Sequence, residues 1–142
     1  MSKIIVFVLI AAFAVFAAAC GSASTTTAND GKTIKGGPAG NNLTATLSNA
    51  DGVLRKGKQD FTLTFTDASG KPVDVGAVSL NFFMPAMGTM AAMNNPATFT
   101  TTGTPGVYAG KTDLEMGGEW QAQITYDGPA GKGKANLPIV AQ

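Results

Sequence analysis

The sequence predicts an all-β domain built as an antiparallel sandwich of about seven strands. Apolar residues recur with a period of two from residue 43 onward, as in half-buried strands. These stretches are rich in Thr, Val, Phe and Tyr, which favour strands. No long segment has the periodicity of an amphipathic helix. Short strands with one polar face indicate an immunoglobulin-like sandwich, and a small closed barrel is the alternative.

Turn-forming residues separate the predicted strands, as at 67–72, 103–106, 116–118 and 127–129. We expect strands near 42–48, 60–66, 76–84, 97–101, 106–112, 118–127 and 133–140. Buried aromatic side chains cover about 150–250 Å² each and should therefore supply most of the core. The aromatic residues on the predicted inward faces are Phe61, Phe65, Phe82, Tyr108 and Trp120.

Residues 1–19 have the pattern of a secretory signal peptide. Lys3 is followed by sixteen consecutive apolar residues, fewer than the roughly 20 that a membrane-spanning helix needs. Small residues then lead to Cys20, which is typical of a signal with its cleavage site. The sequence around Cys20 resembles a lipobox, with Ala17 where Leu is commonest. The alternatives are an uncleaved membrane anchor and an ordinary signal cleaved after Ala19.

Cys20 is the only cysteine and therefore has no partner for an internal disulfide. We expect it to be lipidated, so that the protein contacts the membrane through its N-terminal lipid. This predicts an extracytoplasmic location, facing the periplasm from the outer membrane if the cell has one. Residues 20–41 contain almost no large apolar residue except Ile34 and are expected to be a flexible linker. The domain is then expected to span 42–142.

Composition excludes several functions. Removing Lys3 with the signal leaves nine Lys or Arg against nine Asp or Glu, so nucleic acid is not an expected partner. The chain contains no histidine, which excludes Ser–His and Cys–His nucleophiles and imidazole metal sites. We therefore do not expect an enzyme.

One segment departs from the strand pattern. Four of the six methionines follow each other at a spacing of three: Met84, Met87, Met90 and Met93. Residues three apart alternate faces on a strand, but they share a side on polyproline-like backbone or on a helical turn. Pro85 and Gly88 argue against a continuing strand. The pattern favours a loop that presents several thioethers together.

Two interpretations of these methionines remain open. Thioether sulfur suits Cu(I), and it has no proton to lose at acidic pH. Methionine also fills irregular gaps, so the segment could instead cap the open end of the sandwich or dock a protein partner. Met116 shares a face with Leu114, which favours a core position, but it could reach the loop as a further ligand.

Three blocks of sequence resemble the YtkA-like and FixH-like domains. They are Phe83–Gly88 (FMPAMG), Gly106–Ala109 (GVYA) and Asp113–Gln121 (DLEMGGEWQ). The resemblance implies an extracytoplasmic immunoglobulin-like domain, of a kind that also occurs fused to metal-efflux adaptors. FixH-like members are linked to the assembly of copper-containing oxidases, so a copper protein or an efflux protein is the implied partner.

The resemblance implies a metal-binding role for Met84, Met87 and Met116, with Met90 as a looser match. Many relatives also have histidine near this loop, and because this chain has none, only a thioether Cu(I) site remains. The leading hypothesis is a lipid-anchored domain that binds Cu(I) through Met84, Met87 and Met90, with Met93 or Met116, for copper handling or delivery. The alternative is a non-metal envelope module.

Overall fold

The computed structural model describes residues 31–142, which form nine strands and no helix. The strands are β1 (Lys32–Gly40), β2 (Leu43–Asn49), β3 (Gly57–Thr66), β4 (Ala77–Met84), β5 (Met93–Pro96), β6 (Thr98–Thr101), β7 (Val107–Leu114), β8 (Gly118–Gly128) and β9 (Gly131–Ala141). Within these residues no helix is long and apolar enough to cross a membrane.

The strands form two antiparallel sheets that pack as a sandwich. One sheet has the order β1-β2-β3-β7-β6, and the other has the order β5-β4-β8-β9. Apart from β1 and β5, this division of strands is that of an immunoglobulin-like domain, with β4, β8 and β9 facing β2, β3, β7 and β6. The predicted fold class is therefore confirmed.

The core lies between the sheets and contains all five predicted aromatic side chains: Phe61, Phe65, Phe82, Tyr108 and Trp120. Two edge-to-face pairs join the sheets. The ring centroids of Phe61 and Phe82 are 5.7 Å apart, and those of Phe65 and Tyr126 are 5.2 Å apart. Each such pair contributes about 0.5–1.5 kcal/mol beyond the area that it buries. The period-two pattern therefore identified the inward faces of these strands.

The predicted linker 20–41 needs a correction at its C-terminal end, because residues 32–40 form β1. This strand pairs with β2 along its length and also lies close to β9. The space beside Gly37 is too small for any side chain. A Cβ atom on Gly37 would come within 2.7 Å of a methyl group of Leu137. The strand is held by backbone hydrogen bonds and small residues rather than by large apolar side chains. Its polar composition therefore resembles that of a linker.

The turn between β1 and β2 consists of Asn41 and Asn42, which both have positive φ, at 52° and 58°. Two left-handed residues between antiparallel strands are typical of a type I′ hairpin, and asparagine tolerates that conformation well. The Asn41 amide also donates hydrogen bonds to the hydroxyl of Tyr126 and to the carbonyl of Lys132. These contacts fix the β1–β2 hairpin against β8 and β9.

The antiparallel order gathers several chain segments at one end, which we call the methionine end: the start of β1, residues 50–56, 85–92 and 115–117, and Gln142. The strand registers establish this, since they pair Lys32 with Asn49, Gly57 with Leu114, Phe83 with Gln121, and Gly118 with Ala141. The opposite end carries residues 41–42, 67–76, 102–106 and 129–130. The methionine segment and the N-terminal entry of the domain therefore lie at the same end.

Candidate thioether site

The four closely spaced methionines belong to one hairpin, residues 84–93, which we call the methionine hairpin. At its base, β4 and β5 pair with Met84 opposite Met93. At its tip, Met87 and Met90 form a β-bridge, with N–O distances of 3.1 and 2.9 Å between their backbones. Gly88 has a φ of 56° at the first central position of the turn, as a type II′ turn requires.

Met87 and Met90 form the outer pair of the hairpin. Each donates a backbone hydrogen bond to the other, and in such a pair the Cα atoms are about 5.5 Å apart with both side chains on the same side. Their exposed fractions are 50% and 42%, which are high for large apolar residues. The outer pair therefore presents two partly exposed thioether side chains next to each other.

Met84 has a different environment, because only 1% of its surface is exposed and it belongs to the core cluster. Its terminal methyl group lies over Gly118, where a Cβ atom would come within 3.1 Å of it. Gly118 has a φ of 131°, a conformation that residues with side chains rarely adopt. Met84 thus fills the space that Gly118 leaves at the start of β8.

Met93 and Met116 are intermediate cases, half-buried and packed against the core. Met93 shares its side of the hairpin with Met84, its partner across the strands. Met116 lies in the turn between β7 and β8, where its carbonyl oxygen accepts a hydrogen bond of 3.2 Å from the Trp120 indole. Both residues lie at the methionine end.

The spacing of three therefore gives two pairs with different exposure, an inner pair (Met84 and Met93) and an outer pair. The pairs at the base and at the tip share one antiparallel register, although residues 85–86 and 91–92 between them are unpaired, so the segment is a β-hairpin rather than a polyproline-like or helical turn. Residues 85–92 are all exposed, so they do not cap the open end of the sandwich. Cys20 lies outside the described residues.

Sequence reasoning missed Asn95, which fastens the base of the hairpin to the other sheet. Asn95 is buried, and its side-chain nitrogen donates a 2.5 Å hydrogen bond to the carbonyl of Asp113 on β7. Its Oδ1 has no hydrogen-bond partner among the described residues, and neither does the hydroxyl of neighbouring Thr112. The signal in the sequence is weak: by period two Asn95 shares the face of Met93, Ala97 and Phe99, but asparagine itself is a residue type that is mostly exposed.

The charged groups at the methionine end lie in its other loops and not in the methionine hairpin, which contains no charged residue. Arg55 and Asp51 form an exposed ion pair in the loop between β2 and β3, and the hydrogen bond from Arg55 lowers the pKa of Asp51. Glu115 and Glu119 are exposed on either side of the β7–β8 turn. Within residues 31–142, no three His, Cys, Asp or Glu side chains come together in a way that could hold a metal ion.

Comparison with known proteins gives one family. No curated protein and no solved structure matches the chain. The family model described as YtkA-like matches residues 39–125, which is more than half of the chain and extends from the end of β1 into β8. The match includes the methionine hairpin and the turn that carries Met116. The chain therefore belongs to the YtkA-like family, as the three sequence blocks predicted.

Proposed function

We propose that this YtkA-like domain is a lipid-anchored, extracytoplasmic binding module that holds Cu(I) through the thioethers of its methionine hairpin. The observation that carries the proposal is the outer pair, in which two exposed methionines are held opposite each other by two backbone hydrogen bonds. Thioether sulfur is a soft ligand that suits Cu(I) much better than Mg²⁺, Ca²⁺ or Zn²⁺.

The proposed ligands are Met87 and Met90, joined by a third thioether from Met93 or Met116. Met93 and Met116 support this role because both are half-buried at the methionine end rather than enclosed in the core. Met84, in contrast, is almost fully buried over Gly118, so the proposal gives it a packing role. A partly exposed site of this kind could exchange copper with a second protein, ligand by ligand.

The anchor in this proposal is Cys20, lipidated after cleavage of residues 1–19. Its support is the sequence alone: a charged start, a short apolar run, small residues and then the only cysteine of the chain. The domain would then work at the outer face of a membrane, in the periplasm if the cell has an outer membrane. Thioethers are suitable ligands there because they bind without losing a proton. A copper oxidase or an efflux protein is the kind of partner that the family suggests.

The test is a Cu(I) competition titration of the full-length protein against a chromophoric Cu(I) chelator without oxygen. We expect Met87→Leu combined with Met90→Leu to weaken Cu(I) binding by about tenfold or more, because leucine keeps the volume and removes the soft ligand. The matched control is Met84→Leu, which makes the same change in the core and should leave the affinity unchanged. Affinity should also be nearly constant between about pH 5 and pH 7, since no ligand titrates.

Two outcomes would contradict copper binding. One is a dissociation constant of about 1 μM or weaker for Cu(I) and the wild-type protein, which corresponds to a binding free energy of roughly 8 kcal/mol. The other is an outer-pair variant with the affinity of the wild type. Either result would favour the alternative, a non-metal envelope module whose exposed hairpin docks a protein partner.

A further inference from the structure

We propose that the tip of the methionine hairpin faces the membrane and inserts into the surface of the lipid bilayer that holds the anchor. This inference rests on the lipid anchor of the proposed function, but not on copper binding. Three observations carry it: where the chain enters the domain, what the tip is made of, and how the charges around it are arranged.

The chain enters the sandwich at the methionine end. Lys32, the first residue of β1, pairs with Asn49 at the end of β2, and both lie beside the loop 50–56. Only ten residues separate Cys20 from Gly31, so the eleven Cα–Cα steps that join the two span at most about 40 Å when fully extended. The longest strands have eleven residues, which makes the sandwich about 36 Å long. The opposite end therefore reaches the bilayer only when the tether is almost fully extended along the domain, whereas the hairpin at the attached end reaches it at any extension of the tether.

The tip has the composition of a membrane-inserting segment. Residues 85–92 read PAMGTMAA, contain no charge and are all exposed. Val140, which is 61% exposed, lines the same groove as Pro85, and the charged residues Lys35 and Glu119 mark the boundary of the apolar surface there. The loop 67–76 at the opposite end instead carries Asp67, Lys71 and Asp74. Apolar groups that leave water for the lipid boundary gain free energy, whereas charged groups lose it.

The charges around the tip nearly balance. The exposed cations at this end are Lys32, Lys35, Arg55, Lys56 and Lys58, and the exposed anions are Asp51, Asp113, Glu115 and Glu119. Attraction to acidic headgroups is therefore not the driving force, and insertion should occur on zwitterionic lipid and resist salt. Because the anchor already keeps the domain at the surface, weak insertion of the tip is sufficient.

The experiment labels the two ends of the full-length lipidated protein. Ala91→Cys puts a thiol on the hairpin tip, and the matched control Ala68→Cys puts one on an exposed loop at the opposite end. Each is labelled with a nitrobenzoxadiazole dye and bound to phosphatidylcholine vesicles. We expect the dye at position 91 to shift its emission to the blue and brighten about twofold or more, since it leaves water. Nitroxide-labelled lipids should quench it, and the dye at position 68 should not change.

The outcomes separate this inference from the proposed function. Ala86→Asp added to Ala91→Cys should abolish the shift, because a charge then enters the apolar tip. Equal responses at positions 91 and 68, or no response at either, would overturn the inference while leaving the anchor intact. Protein that also takes up dye at Cys20 and stays off the vesicles would overturn the anchor and the inference together. Cu(I) binding is measured on the protein without vesicles, so neither result decides the copper proposal.

Discussion

The inner and outer methionine pairs lie three residues apart in one hairpin, yet they have opposite environments. Met84 of the inner pair is enclosed between the sheets, whereas Met87 and Met90 of the outer pair are about half exposed at the tip. The side chain is chemically the same, so the difference comes from position along the hairpin. The base of the hairpin belongs to the sandwich, whereas residues 85–92 extend beyond it and are all exposed.

This comparison separates two roles that a methionine-rich motif combines. A buried thioether contributes packing, because it is flexible and fills irregular space near aromatic and glycine residues. An exposed thioether adds little packing and remains available for a ligand or an apolar surface. A methionine-rich motif on paired strands therefore needs the burial of each residue before ligands can be assigned.

The largest loss of stability is expected from a substitution in the inner pair. Met84→Ala should lower the free energy of unfolding by about 2–5 kcal/mol, because it leaves a cavity in the core beside Gly118. Urea unfolding followed by Trp120 fluorescence measures this change. Met84→Leu serves as the control and should cost less than about 1.5 kcal/mol, since it nearly conserves volume. A loss below about 1 kcal/mol for the alanine variant would contradict the packing role of Met84.

A smaller loss of stability is expected from a substitution at Gly118, the residue that Met84 covers. Gly118→Ala forces alanine into a φ of 131° and puts its Cβ atom 3.1 Å from the methyl group of Met84. We expect a loss of about 1–3 kcal/mol, mainly from the backbone conformation. The matched control is Gly103→Ala, where φ is not positive and no atom lies within 4 Å of the new Cβ.

A double-mutant cycle shows how much of that loss is contact with Met84. If the methyl contact contributes, Gly118→Ala should cost less in the Met84→Ala background than in the wild type, with a coupling of about 0.5 kcal/mol or more. Equal costs in the two backgrounds would assign the whole loss to backbone strain. A Gly118→Ala variant as stable as the Gly103→Ala control would contradict both explanations.

The sequence predicts the fold well where strands have one apolar face. Alternation along β3 and β8 identified Phe61, Phe65 and Trp120 as core residues, and all three are buried. It predicts poorly where a strand is held by its backbone. Strand β1 has few large apolar residues, and its pairing with β2 depends on a two-asparagine turn that composition does not reveal.

The candidate site is predictable in composition but not in arrangement. The spacing of Met84, Met87 and Met90 identified the segment, and the YtkA-like blocks identified the family. A spacing of three does not determine the backbone conformation. The same methionines share a side on a polyproline-like backbone but face opposite sides on a strand. The path is decided by pairing between β4 and β5, and by Asn95, which fastens β5 to the other sheet.

The smallest effect is expected from the outer pair. Met87→Ser combined with Met90→Ser should change the free energy of unfolding by less than about 0.5 kcal/mol, because both residues are about half exposed outside the core and the backbone hydrogen bonds between them remain. Urea unfolding of this variant beside Met84→Ala measures both pairs on one scale. A loss above about 1 kcal/mol would mean that the tip packs against the domain. If substitution of the outer pair leaves stability unchanged, those two residues are free to be selected for binding. The inner pair is instead constrained by the fold.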